Sequence, residues 1–252
     1  AEFHNLTGIV DVYPAVNPLG LDARTRAVPI SDIDYSSAFP GDINGGLEDY
    51  TAAKLLEDIK GASCCIDIHS SNIFLQEVPQ VRLNDDYDET LLHLSKYMNT
   101  DLVWIHPSQT VNEGSLAYAL NQMGIPTMVT ESGAAFRIRY EYCRQIIDGI
   151  FSVMAELGIW KGKTNGKTDV PFINEDKICY LNCESSGLFV SYKRLKDHVK
   201  KGEIIGIIQN PLMGATEEEV IAPVDGILMT LREHPSVTEG SLVARVIGGG
   251  KL

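Results

Sequence analysis

The chain has 252 residues, with 21 Lys+Arg against 34 Asp+Glu, a net charge of −13, and hydrophobic and charged fractions of 44% and 22%. An ordinary apolar fraction with 7 Phe, 2 Trp and 10 Tyr excludes intrinsic disorder. No apolar run approaches the ~18–20 residues of a membrane span, and an acidic surface opposes phosphate backbones, so neither a membrane nor a nucleic acid is expected as a partner.

In chain order, Gly8-Ile-Val-Asp-Val-Tyr-Pro14 is a β-rich run stopped by proline. Leu47 to Ile59 carries apolar residues at Leu47, Tyr50, Leu55, Leu56 and Ile59, a helical spacing, with Gly61 as terminator. Cys64 to Ile68 reads as a short buried strand ending in His69-Ser-Ser-Asn72. A helix over Leu91–Met98 and a strand over Leu102–Ile105 follow, then a helix over Gly114–Met123 and a strand over Ile125–Thr130. Arg139 to Leu157 is a long amphipathic helix closed by Gly158. Strands separated by helices predict an α/β fold, its sheet mainly parallel or mixed and its helices on both faces.

Composition shifts at Lys161-Gly-Lys-Thr-Asn-Gly-Lys167, the expected linker between an α/β domain over 1–160 and a small all-β domain over 168–252. An internal repeat lies in the second part. Gly187-Leu-Phe and Gly226-Ile-Leu are 39 residues apart, and Val199-Lys-Lys-Gly202 and Val237-Thr-Glu-Gly240 are 38 apart. Two such units can pack face to face as a sandwich or barrel. The Val-x-x-Gly turns and Ile221-Ala-Pro-Val-Asp-Gly226 also resemble biotinyl and lipoyl carrier domains. Met229-Thr-Leu-Arg232 offers no acceptor lysine, which favours a structural β module over a swinging arm.

The five cysteines, Cys64, Cys65, Cys143, Cys179 and Cys183, are odd in number, two are adjacent, and no secretory signal opens the sequence. A reducing, cytoplasmic setting is expected. Cys179 and Cys183 lack a second pair of zinc-ligand spacing and read as thiols packed beside strands.

In open α/β sheets functional groups gather at the carboxyl ends of strands. Three places there carry chemistry. Asn17-Pro18 leads to Arg24, Arg26 and Asp32-Ile-Asp34; a guanidinium could clamp a carboxylate or steady an oxyanion, or simply be a surface arginine. His69 lies two residues past Asp67, as either a carboxylate-oriented metal ligand or a hydrogen-bonded crevice histidine. Glu131, followed by Ser132 and Gly133, is either a general base with a raised pKa or a helix-start acid.

Taken in order, Asn17-Pro18, Arg26, Asp32-Ile-Asp34-Tyr-Ser-Ser-Ala-Phe39-Pro-Gly41, Asp67-Ile-His69-Ser and Thr130-Glu131-Ser-Gly resemble the succinylglutamate desuccinylase/aspartoacylase family, relatives of the zinc carboxypeptidases. The match spans roughly residues 8 to 150, and the repeat-bearing tail looks like the family's C-terminal β domain. The resemblance implies one zinc ion with His69 as the last of three ligands, Glu131 as general base and Arg26 polarising the scissile carbonyl. Asn17, Ser36 and Ser37 fall at substrate-binding positions. The implied reaction hydrolyses an amide, or an ester, in a small N-acylated amino acid, with zinc lowering the pKa of its water to near ~7.

The sequence departs from the family pattern twice. The family's Gly-x-His-Gly-x-Glu, which supplies the other two ligands, is missing, so those ligands are expected from an absent N-terminal segment. Ser36-Ser37 stands where the family has Asn-Arg; hydroxyls can hydrogen-bond but bring no positive charge, which points to a less acidic substrate. A non-catalytic relative that binds a small ligand or a protein is the alternative reading, and a homo-oligomer is compatible with either.

Overall fold

The computed structural model describes residues 3–107, 113–166 and 169–249. Among them no helix is long and apolar enough to cross a membrane.

The described residues form the α-helices α1 Pro18–Ala23, α2 Leu47–Ile59, α3 Glu89–Ser95, α4 Leu116–Gln122 and α5 Tyr140–Glu156. Local chemistry sets their ends. Asn17 caps α1 by accepting from the Gly20 N–H, with Pro18 at the first helical position, where its missing donor costs nothing. Asp88 caps α3 and so starts it two residues before the periodicity suggests. Gly61 and Gly158 take positive φ just past α2 and α5, as expected of terminators. The buried stripe of α2 is Glu48, Ala52, Leu56 and Ile59, while Leu47 and Tyr50 are exposed. Glu48 is tolerated there because Ser31 donates a hydrogen bond to it.

The strands that shape the site are β1 Cys65–Ser70, β2 Leu75–Asn84, β3 Leu102–His106 and β4 Thr127–Gly133. β1 pairs parallel with β4, β4 antiparallel with β2, and β2 parallel with β3. The sheet is therefore mixed. Successive residues point to opposite faces. Ile66, Met128, Val81 and Val103 pack with α3 and α5 on one face, and Cys65 packs with α2 and α4 on the other. Gly149 lets α5 press onto the turn after α3; a Cβ there would lie 1.9 Å from the Met98 carbonyl oxygen.

Two expectations need correction. Gly8 to Pro14 is not a strand; Ile9 and Val12 are 85% and 74% exposed, and no strand among the described residues pairs with this β-rich run. Instead Tyr13 donates its hydroxyl proton to Asp58. In contrast, β2 forms where no strand was expected. Pro79 interrupts its pattern, and the ladder accommodates that residue with a register shift between Glu77 and Gln80.

After Phe172 the described chain holds only strands and one 3₁₀ turn: β5 Phe172–Asn174, β6 Ile178–Asn182, β7 Gly187–Ser191, β8 His198–Val199, β9 Ile204–Gln209, β10 Thr216–Ile221, β11 Gly226–Arg232, β12 Ser236–Val237 and β13 Leu242–Gly248. The repeat is expressed as reciprocal pairing. The first strand of each unit joins the second of the other, Gly187 opposite Val237 and Gly226 opposite Val199. A four-stranded sheet β10-β9-β7-β12 faces the strands around β11 and β13 over a core of Phe189, Ile205, Ile208, Leu228, Val243 and Val246. β11 also pairs with β2 through Thr230↔Glu77, so one nine-stranded sheet runs from β1 to β6. Val78, Trp104, Met229 and Ile247 share a core across that join. Lys167 and Thr168, where the expected linker ends, lie outside the described residues.

Candidate active site

The parallel register of β1 and β4 sets His69 directly beside Glu131. The antiparallel register of β4 and β2 sets Gln80 on the other side of Glu131. Registered partners share a face, so His69, Glu131 and Gln80 form a row across three strands, with Asp67 and Arg82 on the same face two residues along. Gly133 takes φ +63 and turns the chain immediately after Glu131-Ser132.

His69 is held through Nε2, 3.1 Å from Asp67 Oδ2. That bond and the nearby Glu131 carboxylate raise the imidazole pKa against the opposing effects of burial and Arg26. The arrangement leaves Nδ1 as the nitrogen available to a ligand. Burial pushes the Glu131 carboxyl above the usual glutamate range, and the positive charge of Arg82 pulls it back. Glu131 Oε1 lies 3.5 Å from Arg82 Nη1, and Oε2 is buried without a hydrogen-bond partner among the described residues.

Arg26 stands on the loop after α1 with a side chain 73% exposed. Its Nε donates to Asp34 Oδ2 and its Nη2 donates to Ser36 Oγ at 3.0 Å. Burial alone would raise the Asp34 pKa, but the bonds from Arg26 and Ser36 outweigh it and hold this carboxyl below the usual aspartate range. The guanidinium charge acts on both His69 and Glu131. Asn17 is engaged at both ends of its amide, accepting from Gly20 N and donating to the Arg26 carbonyl at 3.1 Å, so it anchors the Arg26 backbone. Ser37 lies in the same 3₁₀ turn as Ser36 and packs its backbone against Gly114. Arg24 caps α1 in the left-handed conformation.

Behind Glu131 lies a charged layer that sequence reasoning missed. Arg82 Nη2 donates to Glu77 Oε2 at 2.8 Å, and Glu77 Oε1 accepts from Arg245 Nη1 at 2.7 Å and from Thr230 Oγ1 at 3.2 Å. The Arg82 and Arg245 guanidinium carbons each sit 5.3 Å from the Trp104 ring centroid. Charges at Glu77 and Arg82 amid Leu75, Val78, Val81 and Leu83 were the available signal, hidden by Pro79. Two shallow concavities, along α2 at Thr51–Asp58 and between Asn99 and Lys196, contain none of these residues.

The fold is a mixed α/β sheet with an imidazole and an acid at the carboxyl ends of two paired strands and an arginine on the loop after α1 whose charge acts on both. No protein-family model matches the sequence, and no curated protein matches it. Solved structures do. The product-bound ectoine utilization protein EutE (DoeB) from Ruegeria pomeroyi superposes with a TM-score of 0.82 at 22% identity, covering 96% of this chain and 76% of that one. A succinylglutamate desuccinylase from Silicibacter sp. TM1040 gives 0.83 at 23% identity, covering 97% and 76%. A succinylglutamate desuccinylase/aspartoacylase from Rhodobacter sphaeroides gives 0.78 at 22%, covering 95% and 74%. The chain has the fold these structures share.

Proposed function

We propose that the protein is a hydrolase of the deacylase type, cleaving the amide, or an ester, of a small N-acylated amino-acid-like molecule. The observation that carries this reading is the registered pair His69 and Glu131, with Arg26 close enough for its charge to act on both. The neighbours in fold, a desuccinylase among them, support it.

In this reading the Glu131 carboxylate accepts the proton of the attacking water, a role favoured by the burial that raises its pKa. Arg26 turns its guanidinium to the acyl carbonyl and steadies the negative charge that develops there. Ser36 and Ser37 meet the remainder of the substrate with hydroxyls, which favours an amidated, esterified or otherwise weakly acidic molecule.

Zinc is the cofactor the reading calls for, and His69 suits one ligand position, its ring being held by Asp67. The described residues do not by themselves fit a zinc site. No group of three or more His, Cys, Asp or Glu among them could hold a metal, whereas catalytic zinc takes about three protein ligands. Further ligands would have to come from other residues.

Amine release from a panel of N-acetyl and N-succinyl amino acids and their amides, measured with and without added zinc, tests the reading. Release from at least one member, faster for amides than for free acids, is expected. A folded protein that releases no amine from any member overturns it.

A further inference from the structure

We propose that the C-terminal strands hold the candidate general base in place: Arg82 is a positioning residue for Glu131, and Glu77, gripped by Arg245 and Thr230, fixes Arg82. This rests on the proposed role of Glu131.

Four side chains of alternating charge run across the sheet from β13 through β2 to β4. Glu77, whose side chain is 2% exposed, accepts from Arg245 on one side and Arg82 on the other, and Thr230 supplies a third hydrogen bond. Such a carboxylate is stable in the interior only because its partners are present, and they are fixed by it in turn. Arg82 uses one arm of its planar fork on Glu77 and turns the other toward Glu131. A guanidinium suits this because both arms belong to one rigid plane, so fixing the first fixes the second. Trp104 lies beneath both arginines and limits their tilt. Arg245 of the four and the additional donor Thr230 come from β13 and β11, more than 90 residues beyond Glu131 in sequence. The repeat-bearing region thereby reaches toward Glu131 through the Thr230↔Glu77 ladder.

A residue that only stabilised the fold would alter the amount of folded protein and leave the turnover of that folded fraction intact. A positioning residue alters turnover itself, because a misplacement of about 1 Å at the reacting groups can cost up to ~100-fold. Purified, folded Arg82→Gln is therefore expected to lose tenfold to about 100-fold in kcat on the best substrate of the panel, with KM within about threefold. Arg82→Lys, which restores the charge but not the fork, is expected to recover part of kcat. A crystal structure of Arg82→Gln is expected to show the Glu131 carboxylate moved from its wild-type position. Should Arg82→Gln fail to fold, Glu77→Gln, which keeps the shape of the side chain, is expected to give the same kcat loss. Unchanged kcat in the folded variant, a loss confined to KM, or a Glu131 carboxylate that stays in place would overturn the proposal. If the wild-type protein turns over nothing, the proposed function fails separately, and the position of Glu131 in the two crystal structures still decides this one.

Discussion

Glu131→Gln is expected to lower the rate of amine release by about 100-fold or more, the scale on which a general base contributes, while leaving the fold unchanged. Glutamine fills the same volume beside His69 and Gln80 but cannot accept the proton of a water. The pH dependence should report the same group. His69 and Asp67 on β1, Arg26 on its loop, and Arg82 and Glu77 on β2 all face or neighbour Glu131; burial raises its pKa, with Arg82, His69 and Arg26 opposing. Activity requires the ionised form. The acid limb of the wild-type rate profile is therefore expected above the ordinary glutamate value of about 4.3, and activity is lost as pH falls through it. A steady-state comparison of both proteins across pH checks this. A Glu131→Gln protein that turns over at the wild-type rate would remove Glu131 from the mechanism.

Trp104→Ala is expected to cost about 3–5 kcal/mol of stability, the range for emptying a large aromatic from a core. Trp104 is 1% exposed and packs with Val78, Met229 and Ile247 across the join between the two parts of the sheet. Its Nε1 donates to Glu175 Oε2 at 2.8 Å, its ring lies under Arg82 and Arg245, and His106 packs on it at a tilt with centroids 4.0 Å apart. The two cation–π contacts add about 0.5–1 kcal/mol each where partly exposed. Burial and the charge of Arg82 lower the His106 pKa to about 4, so the imidazole next to this ring is neutral at pH 7. Urea denaturation followed by circular dichroism measures the loss. A cost below about 1 kcal/mol would contradict the view that this tryptophan joins the two parts.

The α/β character, helices α2 to α5 and the two strands bearing His69 and Glu131 were legible because each is a local signal, whereas α1 is too short to carry one. A 3.6-residue stripe with a glycine stop marks α2 and α5, and a short apolar run ending in polar residues marks β1 and β4. The neighbourhood of His69 and Glu131 is a pairing fact, and 62 residues separate them, so order along the chain could suggest the pair but not supply its register. The run at Ile9 to Tyr13 misled because β-branched composition records a preference for a sheet and not the presence of a neighbour. β2 was hidden for the opposite reason. It is buried on both faces, contains a proline, and carries Glu77, Gln80 and Arg82 inside, where charge is tolerated only because Arg245 and Thr230 arrive from distant strands. The repeat at Gly187 and Gly226 was visible as spacing, yet its reciprocal pairing and its continuity with β2 depend on contacts that no local pattern encodes.

The most direct test of the account is a crystal structure of Glu131→Gln bound to an N-acyl amino acid amide from the panel. The account predicts the acyl carbonyl at the carboxyl ends of β1 and β4, its oxygen within hydrogen-bond reach, about 3 Å, of the Arg26 guanidinium and its carbon facing position 131. A ligand bound elsewhere, or seated at these strand ends with its carbonyl turned away from both Arg26 and position 131, would contradict it.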